Sequence, residues 1–238
     1  MLAVSCDAAG AIGSKPLDRV RADPRLVGRL TARVALMELL AIGADPIAIS
    51  GTFCVEPSPT GDFVIEGIRQ ELRHAHLTNI PIACSSEKNF KVKQTGIGLT
   101  TMGLVRKSVL KIGRCVEGDD VIAVGEPSVG PEVICAERNQ RIADTLDAVK
   151  FRKSAYVHEL IPVGSRGILY EAKVIAKDSD LCFELSGQQP IKLKKSAGPA
   201  TVLLLAIREG SLNSIRGTIG RKPVRKIGSL FTCREEAG

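Results

Sequence analysis

The sequence of 238 residues contains no tryptophan, and aromatic residues make up only 3% of it. The stacking surfaces with which proteins hold single strands and RNA loops are therefore scarce, which disfavours a nucleic-acid-binding module. No run of about 18 apolar residues occurs, so no membrane-spanning helix is expected. The N-terminal segment lacks a basic start followed by a long apolar stretch, so we do not expect secretion.

Cysteine is present, but its arrangement argues against a metal site built from thiols. The seven cysteines are an odd number, and no two of them have the CxxC spacing. The three histidines do not complete a ligand set, so a structural zinc site is not expected. This pattern predicts free, mostly buried thiols in a reducing compartment, and hence a cytoplasmic protein.

Positive charge is concentrated towards the C-terminal end. Residues 186–238 hold ten basic and three acidic residues, which accounts for the whole net charge of +7. Such a region can bind nucleic acid, an acidic partner or an anionic small ligand, or it can form a solvated face. The shortage of aromatic side chains makes nucleic acid the weakest of these interpretations.

Hydrophobic periodicity and turn residues predict alternating strands and helices. Asp23-Pro24 marks a helix start, because aspartate caps free amides and proline loses no donor at the first helical position. The helix should run from about Arg25 to Ile42, apolar on most sides and therefore buried. We predict strands at 2–6, 46–55, 80–84, 97–105 and 120–125, with helices over 64–75 and 131–149. This order favours a mixed α/β layer structure with a domain boundary near residue 150.

A glycine-containing loop after the first strand is the first candidate for ligand binding. Gly10 and Gly13 would allow the backbone to approach a ligand closely, and Lys15 would place a cation beside it. Asp7 stands at the end of the strand, where a carboxylate could hold magnesium. The loop is not a Walker-type phosphate loop, because the Gly-x4-Gly-Lys-Ser/Thr spacing is absent.

Two further carboxylates could join Asp7. Glu38 interrupts an apolar helix, where it needs a compensating cation or lies on a solvated stripe beside Arg29 or Arg33. Glu87 follows a predicted strand, and carboxylates at strand ends lie where α/β sheets bind ligands. Three such acids would suit magnesium that bridges phosphates. Sequence separation leaves open whether they meet.

These motifs, in this order, resemble those of the superfamily that contains aminoimidazole ribonucleotide synthetase, thiamine-monophosphate kinase, selenophosphate synthetase and the hydrogenase-maturation dehydratase. Asp7 to Lys15 stands in the place of the family's Asp-Gly-rich-Lys loop, and Gly43 to Pro46 matches its Gly-Ala-x-Pro. Met37-Glu38 occupies the position of an Asn-Asp or Ser-Asp pair. Ser85 to Lys88 replaces a Gly-Gly-Asp/Glu-Thr motif and keeps only the acid. Segments similar to later parts of the family are Gly118–Gly125, His158–Ala176 and Ile227–Gly228.

The resemblance implies a two-domain α/β (α+β) fold in which a mixed sheet is packed by helices. Residues 1–150 would form an ATP- and magnesium-binding, dimerising domain, and residues 151–238 a shortened C-terminal α/β domain. A homodimer acting on a small-molecule substrate is implied. The implied metal ligands are Asp7, Glu38 and Glu87; the nucleotide contacts are Gly10, Gly13, Lys15 and Lys88; the catalytic residues are Lys15, Glu87, Arg166 and Lys195. Asp18 and Asp23 rank second, and a helix cap explains Asp23 equally well.

The segments Pro162 to Gly167 and Lys195 to Pro199 are most similar to the α-ribazole kinases of cobamide salvage. These enzymes phosphorylate a benzimidazole riboside at a ribose hydroxyl. We therefore expect ATP-dependent phosphorylation of α-ribazole. One alternative is an ATP-dependent synthetase that activates an amide or acyl group. Another is a nucleotide-binding protein without turnover, as the departures at Met37 and Ser85-Ser86 would allow.

Overall fold

The computed structural model describes residues 1–188 and 190–233. The chain forms two compact units, one of residues 1–40 with 44–109 and one of residues 41–43 with 110–238. The units thus divide before the boundary predicted near residue 150. Arg234, Glu235 and Glu236, which were counted in the basic C-terminal region, lie outside the described residues.

The first unit combines a mixed sheet with two helices. Its elements are β1 (Leu2–Gly10), β2 (Ile12–Gly13), β3 (Val20–Arg21), α1 (Pro24–Ala41), β4 (Asp45–Phe53), α2 (Asp62–His74), β5 (Ile82–Ser86) and β6 (Gly96–Leu104). The four-stranded sheet has the order β1-β6-β4-β5. Strands β1 and β4 run antiparallel to β6, and β5 runs parallel to β4.

One face of this sheet packs against α1. The hydroxyl of Ser5 on β1 donates to the carbonyl oxygen of Ala35 at 2.6 Å, and the hydroxyl of Thr101 on β6 donates to the same oxygen at 3.0 Å. The opposite face leaves apolar side chains in solvent, because Leu2 is 64% and Val4 58% exposed, with Leu104 at 52%. The sheet therefore has one covered face and one apolar face that solvent reaches.

Helices α1 and α2 meet backbone to backbone. A Cβ atom built on Gly28 would lie 2.2 Å from the carbonyl oxygen of Val64, and one built on Gly67 would lie 1.9 Å from that of Arg25. Glycine is needed at both positions because any side chain would collide with the backbone of the other helix. The same helices share a buried ion pair between Arg33 and Glu71.

The structure confirms that α1 begins directly after Asp23 and that most of its apolar side chains are buried. The helix begins at Pro24, and the carboxylate of Asp23 accepts a hydrogen bond from the amide of Arg25 at 2.8 Å. Asp23 is therefore a helix cap, the structural alternative given for it above. Leu36 and Met37 are fully buried.

The second unit is built on an antiparallel sheet. Its elements are β7 (Asp120–Gly125), α3 (Glu132–Arg138), α4 (Thr145–Phe151), β8 (Val157–Pro162), α5 (Ile168–Asp178), β9 (Cys182–Leu185), β10 (Val202–Ile207), α6 (Leu212–Arg216) and β11 (Val224–Phe231). The strand order is β8-β10-β7-β11-β9. Strand β7 is central in this sheet and buried throughout. Because it belongs to the second sheet, the chain divides into its two units before residue 120.

Two predicted elements have different bounds. Strand β1 extends to Gly10, because Asp7 to Gly10 continue the pairing with β6 down to Gly96. The single helix predicted over 131–149 is two short helices. Asp144 starts the second of them with a capping box: the carboxylate of Asp144 accepts from the amide of Asp147, and the carboxylate of Asp147 accepts from the amide of Asp144.

The prediction of free, mostly buried thiols is wrong. Cys182 and Cys233 form a disulfide that joins β9 to the segment after β11. Of the remaining cysteines, Cys115 is buried, whereas Cys6, Cys54, Cys84 and Cys135 are exposed. Within residues 1–188 and 190–233, no helix combines the length and apolar character needed to cross a bilayer.

Candidate functional site

A cavity of about 690 Å³ lies in the first unit, between the loop after β2 and the loop after β5. Its charged lining consists of three lysines and two glutamates: Lys15, Lys88, Lys91, Glu56 and Glu87. Asn89 and Phe90 also line it. The sequence predicted Lys15, Lys88 and Glu87 as site residues, and the structure brings these three together. Glu56, Lys91 and Phe90 were missed.

The loop that carries Lys15 is held by hydrogen bonds to its backbone. The guanidinium of Arg21 donates to the carbonyl oxygens of Ser14, Lys15 and Pro16 at 3.1, 2.8 and 3.2 Å. The amide of Lys15 donates to the carboxylate of Asp18 at 2.8 Å. The backbone that positions the Lys15 side chain is therefore fixed on both sides.

Glu56 is the partner of Lys15 inside the cavity. Its carboxylate accepts from Lys15 Nζ at 2.5 Å and from the hydroxyl of Thr60 at 2.5 Å. Burial alone would raise the pKa of Glu56, but the hydrogen bonds from Lys15 and Thr60 outweigh it and hold the pKa below its usual range. The carboxylate is thus ionised at neutral pH. Glu56 stands in a proline-flanked loop with no recognisable motif, so the sequence carried no signal for it.

Glu87 shapes the loop that forms the other wall. Its amide donates to the carbonyl oxygens of Phe53 and Val55. Its carboxylate oxygen Oε1 accepts from the amides of Asn89 at 2.6 Å and Phe90 at 3.2 Å. These two backbone donors lower the pKa of Glu87. The acid is therefore ionised at neutral pH and also acts as a cap for the turn that follows it.

The two loops are joined to each other. The amide of Leu17 donates to the carbonyl oxygen of Lys93 at 2.9 Å, and the side-chain amide of Gln94 donates to the carbonyl oxygen of Leu17 at 2.9 Å. The carboxylate of Asp18 accepts from both the amide and the hydroxyl of Thr95 at 2.7 Å. Asp18, a second-rank site candidate, therefore fastens the walls together.

The two glycines predicted to contact the nucleotide do not line the cavity. Gly13 has a close packing role, because a Cβ atom there would lie 2.3 Å from the hydroxyl oxygen of Thr95. Gly10 ends β1 opposite Gly96 and has open space where a side chain would go. Gly13 therefore has a packing role in the loop, and contact of Gly10 and Gly13 with a nucleotide stays a prediction.

The expected convergence of Asp7, Glu38 and Glu87 is not found. Leu39, next to Glu38, lies against Gly103 at one end of β6, whereas Glu87 follows Ser86 beyond the opposite end of the sheet, near Gly96. Gly103 and Gly96 are seven residues apart on β6, which is about 23 Å at the usual rise of about 3.3 Å per residue. Among the described residues, no three histidine, cysteine, aspartate or glutamate side chains could hold a metal ion together. Glu38 itself is exposed on α1.

Asp7 lies within β1, opposite Leu99 of β6, and not at the end of the strand, where it was predicted. Burial of its carboxyl group raises the pKa of Asp7 to about 6, against a smaller opposing effect of a hydrogen bond from the backbone of Ala8. The folded state therefore binds its proton more tightly than the unfolded chain does. As a result, ionised Asp7 destabilises the fold above pH 6, and this effect disappears as the pH falls from about 6 to about 4.

We expect Asp7→Asn to stabilise the protein at pH 8 by about 1–2 kcal/mol, a figure reduced for partial solvent exposure. The gain should shrink at pH 4.5, where the wild-type carboxyl group is largely protonated in the folded protein. Urea unfolding of both proteins at the two pH values measures the difference. An equal gain at both pH values would show that ionisation of Asp7 is not its cause.

Arg166 and Lys195 belong to the second unit, where the structure brings their loops together. Gly167 has a φ of 81°, and a Cβ atom on it would lie 2.7 Å from the carbonyl oxygen of Leu193. The amide of Leu169 also donates to that oxygen, at 3.0 Å. The guanidinium of Arg166 lies 4.5 Å from the centre of the Tyr170 ring, and Lys195 forms an ion pair with Glu132.

Much of the positive charge of the C-terminal region is compensated locally. Lys222 lies 2.6 Å from the carboxylates of both Asp144 and Asp147. Lys226 lies 2.5 Å from Asp120, and Arg225 pairs with Glu126 at 3.8 Å. These side chains stabilise their own unit.

The two units together define a mixed α/β protein with one helix-covered mixed sheet and one antiparallel sheet. Solved structures with a similar fold include the following three. Thiamine-monophosphate kinase from Stenotrophomonas maltophilia K279a has a TM-score of 0.70 at 16% identity, with 98% of this chain and 84% of that chain covered. The hydrogenase maturation protein HypE of E. coli has a TM-score of 0.69 at 17% identity, with 98% of this chain and 81% of that chain covered. PurL of T. maritima complexed with ATP has a TM-score of 0.63 at 14% identity, with 97% of this chain and 40% of that chain covered.

Residues 1–105 match the family described as AIR synthase related protein, N-terminal domain. The match covers less than half of the chain, and the whole chain has the aminoimidazole ribonucleotide synthetase-like fold. The superfamily predicted from the ordered motifs is therefore confirmed. Among curated proteins, no sequence matches the chain.

Proposed function

We propose that the chain is an ATP- and magnesium-dependent kinase that transfers phosphate to a hydroxyl group of a small molecule, with α-ribazole as the acceptor. The observation that carries the proposal is the cavity in which Lys15, Lys88 and Lys91 lie together with Glu56 and Glu87. Phosphoryl transfer needs mainly positioning and charge neutralisation, which ammonium groups and a divalent cation supply. Structures of the same fold support the choice of nucleotide: AaThiL is complexed with AMPPCP and TMP, and HypE is in complex with ATP.

The donor set of the cavity fits magnesium. Magnesium bound with a nucleotide commonly takes one or two carboxylates, with phosphates and water completing its shell. Glu56 and Glu87 both line the cavity, and the hydrogen bonds described above keep both ionised. We assign these two to the metal in place of the set of Asp7, Glu38 and Glu87. The ion would neutralise charge on the phosphate oxygens.

The lysines would hold the triphosphate. Lys15 now pairs with Glu56, and it would exchange part of this contact for a phosphate oxygen when magnesium occupies the carboxylate. Lys88 and Lys91 follow Glu87 in the same loop and would neutralise the remaining charge. Arg166 and Lys195, on the joined loops of the second unit, remain proposed as catalytic residues.

We further propose that the protein is a homodimer that uses the apolar face of the first sheet. Leu2, Val4 and Leu104 are exposed side by side on paired strands, a pattern typical of a surface that a partner covers. Sedimentation should give about twice the chain mass of 25.4 kDa, and a monomer at micromolar concentration would contradict the proposal. The cytoplasm, with its supply of ATP, is the compartment that fits this function.

The kinase proposal is tested by incubating the purified protein with ATP, magnesium and α-ribazole. ADP and a phosphorylated riboside should form in equal amounts. A panel of other hydroxyl-bearing metabolites serves to find the acceptor if α-ribazole is inert. Nucleotide binding without turnover on the whole panel would instead support a nucleotide-binding protein that has no kinase activity.

A second candidate is an ATP-dependent synthetase, because HypE and PurL share the fold with the kinases. The two functions differ in the fate of the phosphate. A kinase leaves it on the product, whereas an amide- or acyl-activating synthetase releases inorganic phosphate. Release of inorganic phosphate in the presence of a nitrogen donor would therefore favour the synthetase.

A further inference from the structure

Phe90 is unusual among the side chains that line the cavity. It is 78% exposed, although the chain contains only six phenylalanines and no tryptophan. Its neighbours in the lining are the lysines and glutamates described above. The exposed ring contributes little to the packing of the fold and is available to a ligand in the cavity.

The backbone that carries Phe90 is held in place. The carboxylate of Glu87 accepts from the amides of Asn89 and Phe90, at 2.6 and 3.2 Å. Further along the loop, Lys93 and Gln94 are bonded to Leu17 of the opposite wall. The ring is thus presented to the cavity from a loop that is anchored on both sides of it.

An exposed ring beside several ammonium groups fits a ligand with a flat ring at one end and negative charge at the other. The cavity volume of about 690 Å³ is in the range of sites that bind molecules of nucleotide size. Aromatic side chains bind bases by stacking, and this contact does not depend on which hydrogen-bonding groups the base carries. We infer that Phe90 stacks against the purine ring of the nucleotide while the cavity lysines hold its phosphates. This inference rests on the proposed ATP site and names the residue that distinguishes a nucleotide from a bare polyphosphate there.

Because the chain has no tryptophan, Phe90→Trp introduces a single tryptophan at the proposed stacking position, and its emission can be excited apart from that of the two tyrosines. Titration of this variant with ATP and magnesium should change its fluorescence in a saturable manner. Titration with tripolyphosphate and magnesium, which supplies the same charge without a ring, should change it much less. Equal responses to the two ligands would overturn the stacking role.

Affinity gives the second measurement. Phe90→Ala should weaken ATP binding by about 10- to 100-fold, as expected for the loss of one base–aromatic stack, while leaving tripolyphosphate binding unchanged. Phe90→Tyr, which keeps the ring, should bind ATP like the wild type. The stacking role is excluded if Phe90→Ala weakens both ligands equally or neither of them.

Different results would contradict the proposed ATP site and the proposed stacking role of Phe90. Wild-type protein that binds neither ATP nor tripolyphosphate would contradict the ATP site, and the stacking role with it. Wild-type protein that binds both ligands, with an affinity for ATP no higher than for tripolyphosphate, would leave the phosphate site intact and contradict the stacking role alone.

Discussion

Replacing Lys15 with methionine is expected to weaken ATP binding by about 10- to 100-fold, because one charge-assisted hydrogen bond to phosphate is lost. Methionine keeps most of the length of the side chain and removes its charge. The backbone of the loop should stay in place, since Arg21 and Asp18 hold it through main-chain atoms. Isothermal titration with the ATP–magnesium complex measures the change.

The matched control is Lys107→Met, which removes a lysine of the same unit that does not line the cavity. It should bind ATP like the wild type. Both variants should melt near the wild-type temperature, because Glu56 keeps its hydrogen bond from Thr60 when Lys15 is lost. Unchanged affinity in Lys15→Met would place the phosphates elsewhere and remove the support for the kinase proposal.

The largest effect on stability is expected at the ion pair between α1 and α2. Arg33 is 1% and Glu71 0% exposed, and the guanidinium donates to both carboxylate oxygens, at 3.1 and 3.2 Å. Glu71→Ala leaves a buried guanidinium without this partner and should lower the free energy of unfolding by about 3–5 kcal/mol. Urea denaturation measures the loss.

Two comparisons make this prediction specific. The double variant Arg33→Met with Glu71→Leu removes both charges and should recover much of the stability, because well-packed apolar side chains can replace a buried pair. Arg25 and Glu66 form a surface pair on the same two helices, 2.5 Å apart. Glu66→Ala should lower the free energy of unfolding by at most about 1 kcal/mol. Similar losses in Glu71→Ala and Glu66→Ala would show that burial does not control the strength of these pairs.

Local signals in the sequence predicted helices and strands well where neighbouring residues determine where an element begins or how deeply it is buried. The Asp23-Pro24 pair marked the start of α1, and the apolar character of that helix predicted its burial. The same kind of signal was present but overlooked at Asp144, where a cap divides the helix predicted over 131–149. The extension of β1 to Gly10 had no local signal, because pairing with β6 determines it.

Long-range features escaped prediction for a common reason. Cys182 and Cys233 are 51 residues apart, and spacing rules do not detect a pair at that distance. The role of Glu56 depends on Lys15, 41 residues before it, and only the folded structure shows that contact. Conversely, the metal set of Asp7, Glu38 and Glu87 was inferred from motif order, and the sheet keeps Glu38 and Glu87 at opposite ends.

The glycine contact between α1 and α2 limits how the first unit can respond to a ligand. Backbones that touch at Gly28 and Gly67 leave no gap into which either helix could slide, and the packing of α1 on Ser5 and Thr101 ties it to the sheet. A rearrangement on binding of the proposed nucleotide is therefore expected in the part of segment 87–95 that lies between its hydrogen-bonded ends, and not in the two helices. Amide hydrogen exchange should slow in that segment on addition of ATP and stay constant in the two helices.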